Sequence, residues 1–186
     1  HEMNINTFGK VENCITVGEM SATSVENCIG YTNPDNHELD MVFSFHHLKV
    51  DYKNKEKWTS MAFDFEELKS LLHTWQVEMQ NGHGWNALFW NCHDQPRSVS
   101  RFGDDKKYRK ESAKMLAATM HLMQGTPYIY QGEEIGMTNH YFTDIKQYRD
   151  VESINAYHIL KDKGVKEEQI HQILQEKSRD NSRTPM

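Results

Sequence analysis

The residues able to do chemistry in this chain gather where short apolar runs end. Ala87-Leu88-Phe89-Trp90 is such a run. It gives way to His93-Asp94 just before Pro96, which has no amide hydrogen to offer a strand ladder. Cys14-Ile15-Thr16-Val17-Gly18 delivers Glu19 in the same way, and Met41-Val42-Phe43-Ser44-Phe45 delivers His46, His47 and Lys49. Ionisable groups at the carboxyl ends of core strands sit where parallel sheets keep their chemistry. Two carboxylates reaching one pocket from separate strand ends, Glu19 and Asp94, have the arrangement that glycoside hydrolysis needs. One carboxyl, kept protonated by burial or by a carboxylate neighbour, gives its proton to the leaving oxygen; the other balances positive charge on the ring. A histidine beside them can donate to a sugar hydroxyl. The same residues admit two plainer readings: caps at ordinary strand-to-loop junctions, or metal ligation by Glu19, His46 and His47.

Strands of this kind need helices to return them. Residues 2–10 read as the tail of a helix stopped by Gly9, and Ser24 caps a helix over 25–31 that Asn33-Pro34-Asp35-Asn36 breaks. Asp64 is an N-cap with Glu67 as its capping-box partner. Phe65, Leu68, Leu71, Leu72 and Trp75 then recur at helical spacing up to Gly82-His83-Gly84. A helix over 108–123, capped by Asp104-Asp105, should bury Met115, Leu116, Thr119, Leu122 and Met123, and Pro127-Tyr128-Ile129-Tyr130 begins another strand. Alternation with short links means a parallel sheet and an α/β fold class. Such a sheet is half of a (β/α) barrel or part of a doubly wound sheet. Beyond Gly136 the pattern dissolves, leaving one amphipathic segment, 167–177, with Ile170, Ile173 and Leu174 inward. Arg97 and Arg101 read as braces of loops through ion pairs, and Trp58 and Trp90 as core.

Composition narrows the classes. A length of 186 residues suits a single domain, and a net charge of −6 without a basic block argues against nucleic acid or an anionic membrane as partner. No apolar run approaches the ~18–20 residues of a membrane span, and no signal peptide opens the chain. Three cysteines, an odd number without metal-type spacing, read as reduced thiols in a cytoplasm. The opening His-Glu-Met-Asn and the closing Arg-Thr-Pro-Met both read as cuts through a longer protein.

Four stretches together carry a family resemblance: Thr16-Val17-Gly18-Glu19-Met20, Asn91-Cys92-His93-Asp94-Gln95-Pro96-Arg97, Gly125 to Met137, and Ser178 to Met186. In order and along the whole chain, they resemble the α-amylase family of glycoside hydrolases, in its oligo-1,6-glucosidase and trehalose-6-phosphate hydrolase branch. His46-His47-Leu48-Lys49-Val50-Asp51-Tyr52 and Trp85 to Trp90 look more like the trehalose-6-phosphate hydrolases of that branch. The resemblance implies a fragment of a larger enzyme, the C-terminal half of a (β/α)8 TIM barrel. Strands five to eight would occupy residues 1–139, and a helical and loop excursion after strand eight would occupy 140–186.

By the same resemblance Glu19 matches the general acid/base, Asp94 the carboxylate that stabilises the transition state, and His93 the histidine on the hydroxyls of the sugar being cleaved. Arg179 and Arg183 match an arginine pair near that sugar, Arg179 being the one in direct contact. The family's nucleophile, an Asp after strand four, has no match here and should precede His1, so the chain alone is expected to be inactive. Lys49, His46 and His47 are the candidates to neutralise a 6-phosphate, although a surface lysine packing its stem explains Lys49 equally well. The substrate implied is a small carbohydrate or sugar phosphate: trehalose 6-phosphate, or an unphosphorylated isomaltoside as the alternative. A non-catalytic barrel relative is the remaining possibility. No cofactor or metal is expected in this segment, since any calcium loop of the family would lie upstream. The one protein partner expected is the missing half of the barrel.

Overall fold

The computed structural model describes residues 1–186, which divide into two compact units. The first comprises residues 1–50, 64–89 and 120–128, and the second 51–63, 90–119 and 129–186.

The first unit holds the whole sheet. Strands β1 (Val17–Met20), β2 (Met41–Ser44), β3 (Asn86–Leu88) and β4 (Thr126–Pro127) lie side by side in chain order, every pair parallel. Helix α2 (Val25–Thr32) returns β1 to β2, and α3 (Phe65–Asn81) stands between β2 and β3. Both begin at their predicted N-caps: Ser24 Oγ accepts from Asn27 N–H at 3.4 Å and Asp64 Oδ1 from Glu67 N–H at 2.9 Å. The reciprocal half of the predicted capping box does not form, because Asp64 N–H donates to Val50 O at 2.8 Å. Cys28 of α2, Trp75 and Met79 of α3 and Val42 of β2 form the core, with Met20, Val25, Ile29 and Leu39 packed around it. Burial pushes the Cys28 thiol up to about 11, as an apolar surrounding does to a group that must charge. The two helices close tightly at the end of α3, where a Cβ on Gly82 would come within 2.4 Å of Ile29 Cγ2. Thr32 Oγ1 accepts from Trp85 N–H at 3.1 Å, which ties α2 to the entry of β3. Strand residues alternate between faces. Val42 faces the helices, so Phe43 faces away, and its ring meets Phe89 and Tyr128 edge-on at 5.0 and 4.7 Å between centroids.

Several boundaries differ from the sequence expectation, each for a local reason. Glu19 lies inside β1 rather than after it. The strand begins only at Val17, because Asn13 takes a left-handed turn (φ 59°) and Asp40 captures both the N–H and the hydroxyl of Thr16 at 2.7 Å. Cys14 and Ile15, expected to be buried, are exposed, Ile15 by 72 %. The first helix, α1 (Glu2–Asn6), stops short of Gly9, which falls within a separate 3-10 turn. β3 stops at Leu88, since the next carbonyl, that of Phe89, accepts from His47 Nε2 at 2.9 Å in place of a strand neighbour. β4 stops almost at once, at a proline with no N–H to give. Gly125 before it holds φ 150°, and a Cβ there would meet Asn86 O at 2.6 Å. Phe65, expected on the inner face of α3, is 57 % exposed with Lys69 Nζ 5.1 Å from its ring centroid.

In the second unit, α6 (Val151–Asp162) and α7 (Glu167–Lys177) pack around Tyr148, Ala156, Tyr157, Ile170 and Leu174. α7 matches its predicted span, whereas α6 went unrecognised. Its buried stripe of Ser153, Ala156 and Tyr157 is too small and polar to register as an apolar face. Another short helix, α4 (Ser98–Phe102), precedes α5 (Arg109–His121). The buried stripe of α5 is Ser112, Leu116 and Met120. Met115 and Leu122 are 50 % and 86 % exposed, so the predicted face is turned by about one residue. Asp104 does accept from Lys106 and Tyr108 N–H ahead of α5, but Asp105 binds the hydroxyls of Ser100 and Tyr141 instead. Trp90 is core as expected, 3 % exposed with Nε1 donating to Leu116 O at 2.9 Å.

A buried charge cluster holds segment 51–63 to this unit. Arg101 donates to both oxygens of Asp51 at 2.8 and 2.6 Å, and Lys177 Nζ meets Asp51 Oδ2 at 2.7 Å. Arg101 thus braces through an ion pair, as predicted. Arg97, 1 % exposed, uses hydrogen bonds to Gln131 O and Ser182 O and the face of Tyr130 instead.

Candidate active site

The second unit brings four of the candidate residues together. Asp94 stands on the loop that Pro96 terminates, and its N–H donates to Cys92 Sγ at 3.4 Å, which sets the turn. Two arginines converge on one of its oxygens: Arg179 Nη1 at 2.6 Å and Arg183 Nη2 at 3.0 Å from Oδ1. His93 Nε2 lies 3.2 Å from the other oxygen, with its ring largely exposed. Arg183 Nε also donates to His93 O at 2.7 Å. His93, Asp94, Arg179 and Arg183, chosen from widely separated stretches of sequence, are therefore one contiguous group.

Arg179 is shared. Its Nε and Nη2 donate to the two oxygens of Asp150, at 2.6 and 2.9 Å, so one guanidinium links a buried carboxylate to a half-buried one. These bonds raise the Arg179 guanidinium further above its ordinary value and hold the Asp150 carboxyl below its own. Asp150 was not anticipated. It occupies the N-cap position of α6 but spends its carboxylate on Arg179 rather than on the helix. An acid immediately ahead of Val151-Glu152-Ser153 was the available helix-start signal.

The first unit carries the other candidates. Glu19, in β1, projects an exposed carboxylate with no hydrogen-bond partner. In the ladder it is level with Phe43 of β2, and so lies on the sheet face away from α2 and α3. The basic trio after β2 is less uniform than its sequence suggests. His46 Nδ1 pairs with Ser44 Oγ at 3.1 Å and its ring lies against Trp75 at 5.3 Å. Burial first, and the Lys49 charge second, push the His46 ring below its ordinary value. His47 gives Nε2 to the Phe89 carbonyl. Of the three, Lys49 alone is exposed, and its Nζ donates to Ser21 O.

No group of three or more His, Cys, Asp or Glu side chains is placed to hold a metal ion. No helix is long and apolar enough to cross a membrane.

Comparison with known proteins places the chain in a family. The family model described as the catalytic domain of alpha amylase matches residues 1–186. The chain is 65 % identical over all 186 residues to the trehalose-6-phosphate hydrolase of Bacillus subtilis (strain 168), of which it covers 33 %. It is 50 % identical over 174 residues to a probable oligo-1,6-glucosidase of the same organism, covering 92 % of this chain and 31 % of that protein. Among solved structures, the trehalose-6-phosphate hydrolase of Bacillus licheniformis superimposes with a TM-score of 0.95 at 64 % identity, covering all of this chain and 33 % of that one. The isomaltulose synthase of Erwinia rhapontici NX5 follows the same path, with a TM-score of 0.90 at 33 % identity and 33 % of that chain covered. The chain thus spans about a third of the length of the curated relatives it matches. On its sequence and on its α/β fold with a parallel sheet, the chain belongs to the alpha-amylase catalytic-domain family.

Proposed function

We propose that this chain is the second half of the catalytic (β/α)8 barrel of a retaining α-glucosidase whose substrate is trehalose 6-phosphate. Support for the half-barrel comes from the strand order, which runs β1 to β4 without the reversal that marks a doubly wound sheet. The outer sides of β1 and β4 would take the missing strands. In this reading residues 1–139 supply strands five to eight, and 140–186 an excursion after the last of them.

Glu19 gives a proton to the glycosidic oxygen while a carboxylate from outside this chain attacks the anomeric carbon. Glu19 then recovers a proton from the water that hydrolyses the glycosyl intermediate, releasing glucose after glucose 6-phosphate. Asp94 balances the positive charge that builds on the ring, with His93 on the sugar hydroxyls and Arg179 and Arg183 behind the carboxylate. Without the nucleophile the chain by itself does not turn over.

The observation that carries the chemistry is Asp94: a carboxylate on the loop after β3, gripped on one oxygen by two guanidinium groups. The substrate rests on 65 % identity to a trehalose-6-phosphate hydrolase against 50 % to an oligo-1,6-glucosidase. The test is hydrolysis by the full-length protein of trehalose 6-phosphate and of isomaltose. A higher kcat/KM for the phosphorylated sugar is expected. Preference for isomaltose would overturn the substrate, and inertness toward both would overturn the reaction.

A further inference from the structure

Arg179 hydrogen-bonds to two carboxylates, with a third, that of Glu152, 3.9 Å from Nε, and the two bonded ones are not equivalent. The Asp150 side chain is 4 % exposed and takes two of the guanidinium's donors in a fork, whereas the Asp94 side chain is 28 % exposed and takes one. Asp150 is itself fixed from behind. Asp180 accepts from the backbone N–H groups of Arg149 and Asp150 at 3.1 and 3.2 Å, and Ser178 Oγ donates to Asp180 at 3.1 Å. A planar guanidinium held by two parallel hydrogen bonds cannot swivel about its own axis, so its plane is inherited from the buried carboxylate.

From this geometry, and resting on the hydrolase reading above, we infer that Asp150 is a positioning residue acting through Arg179. Its fork takes one hydrogen each from Nε and Nη2 and fixes the guanidinium plane, and from that plane Arg179 meets Asp94 through Nη1 alone. Arg179 and Arg183 then both sit on Oδ1, and Oδ2 is met by His93 alone. Remove the Asp150 charge and the guanidinium is free to turn its own fork onto Asp94, the arrangement that arginine and carboxylate prefer. Both Asp94 oxygens would then be consumed, and the carboxylate would be drawn off the sugar ring. A displacement of about 1 Å in such a group costs on the order of 10²-fold in rate.

The test uses Asp150→Asn in the full-length protein and has two readouts. In a crystal structure of the variant, Arg179 should contact both oxygens of Asp94. An Arg179 still in place with its single contact overturns the inference, whatever the activity. In kinetics on trehalose 6-phosphate, kcat should fall by about 10²-fold. The double variant Asp150→Asn/Arg179→Ala should be no slower than Arg179→Ala alone, within about threefold, because residues acting through one group do not add. Full additivity, or a kcat for Asp150→Asn within threefold of the parent, overturns it. If the Asn variant does not fold, Asp150→Glu keeps the buried charge but displaces the fork by a methylene. A shifted Arg179 with a lowered kcat is expected there, and an unshifted Arg179 with unchanged kcat overturns the inference. A parent protein that cleaves no α-glucoside would refute the hydrolase reading, while the crystallographic readout would still judge the role of Asp150.

Discussion

Lys177 and Asp51 form an ion pair of 2.7 Å in which neither side chain is more than 5 % exposed, and Arg101 closes the other side of the same carboxylate. Lys177 also donates to the Asp51 backbone carbonyl at 2.8 Å, so the last residue of α7 grips both ends of Asp51. Two cations on one buried anion leave an excess positive charge that tolerates no loss of the acid. Asp51→Asn in the full-length protein should therefore destabilise this region by about 3–5 kcal/mol, the usual consequence of stranding buried charge. Lys177→Met should cost less, since Arg101 still neutralises Asp51. Urea unfolding of the two variants checks the order, and equal midpoints would contradict it.

The same cluster makes stability depend on pH in a definite direction. Burial alone would raise the Asp51 carboxyl, but Arg101 and Lys177 outweigh it and hold the group below its ordinary value. A carboxyl lowered on folding contributes stability that is present above its unfolded value, near 4, and lost as pH falls through the folded one. Asp150 is lowered likewise, first by its hydrogen bond to Arg179. Thermal midpoints of the parent should fall as pH drops below about 4. The gap between the parent and Asp51→Asn should narrow over the same range. A gap that stays constant would remove the ion cluster as its source.

Much of this fold was legible because the signals were local. The N-caps Ser24 and Asp64 and the inward face of α7 each depend on a few neighbouring residues and stand as read, although Glu67 does not complete a box with Asp64. The misreadings share a cause, which is that hydrophobicity along a helix does not say what the helix packs against. α5 is the clear case: Leu122 is as apolar as Leu116, yet it lies just past the helix end and 86 % exposed. Leu116→Ala should cost about 2–5 kcal/mol, and Leu122→Ala should stay within about 0.5. Denaturation midpoints of the two variants decide this, and a costly Leu122→Ala would restore the face predicted from sequence. In the candidate site, the family words located Asp94, His93, Arg179 and Arg183. Asp150 escaped because its partner lies 29 residues away and nothing local distinguishes it from an ordinary N-cap.

Glu19 is the residue on which the proposed proton transfer stands. Its carboxylate has no hydrogen-bond partner within the chain, so replacing it by the isosteric amide disturbs no packing and no ion pair. Glu19→Gln in the full-length protein should lower kcat by about 10²–10⁴-fold. KM should change little, since an interaction made only in the transition state has been removed. Steady-state kinetics with trehalose 6-phosphate measure both constants, and retention of kcat within tenfold would refute the acid/base role.

The phosphate assignment can be divided among the three basic residues after β2. A phosphate monoester needs either a mobile point charge or a neutral donor that is not already engaged. His46 fails the first condition, because its burial and the neighbouring Lys49 favour the neutral ring, and its Nδ1 is already paired with Ser44. His47 has spent Nε2 on the Phe89 carbonyl, where it helps to end β3. Lys49 is exposed, and its contact with the Ser21 carbonyl is one that a phosphate could outbid, since an ammonium binds an anion more strongly than a neutral acceptor. Lys49→Met should therefore raise KM for trehalose 6-phosphate by about tenfold, the equivalent of one charge-assisted hydrogen bond, while leaving isomaltose hydrolysis alone. His46→Gln should change the ratio of the two KM values little. If Lys49→Met leaves that ratio intact and His46→Gln shifts it, the charge that selects phosphate sits elsewhere and Lys49 is a surface brace for the Ser21 turn.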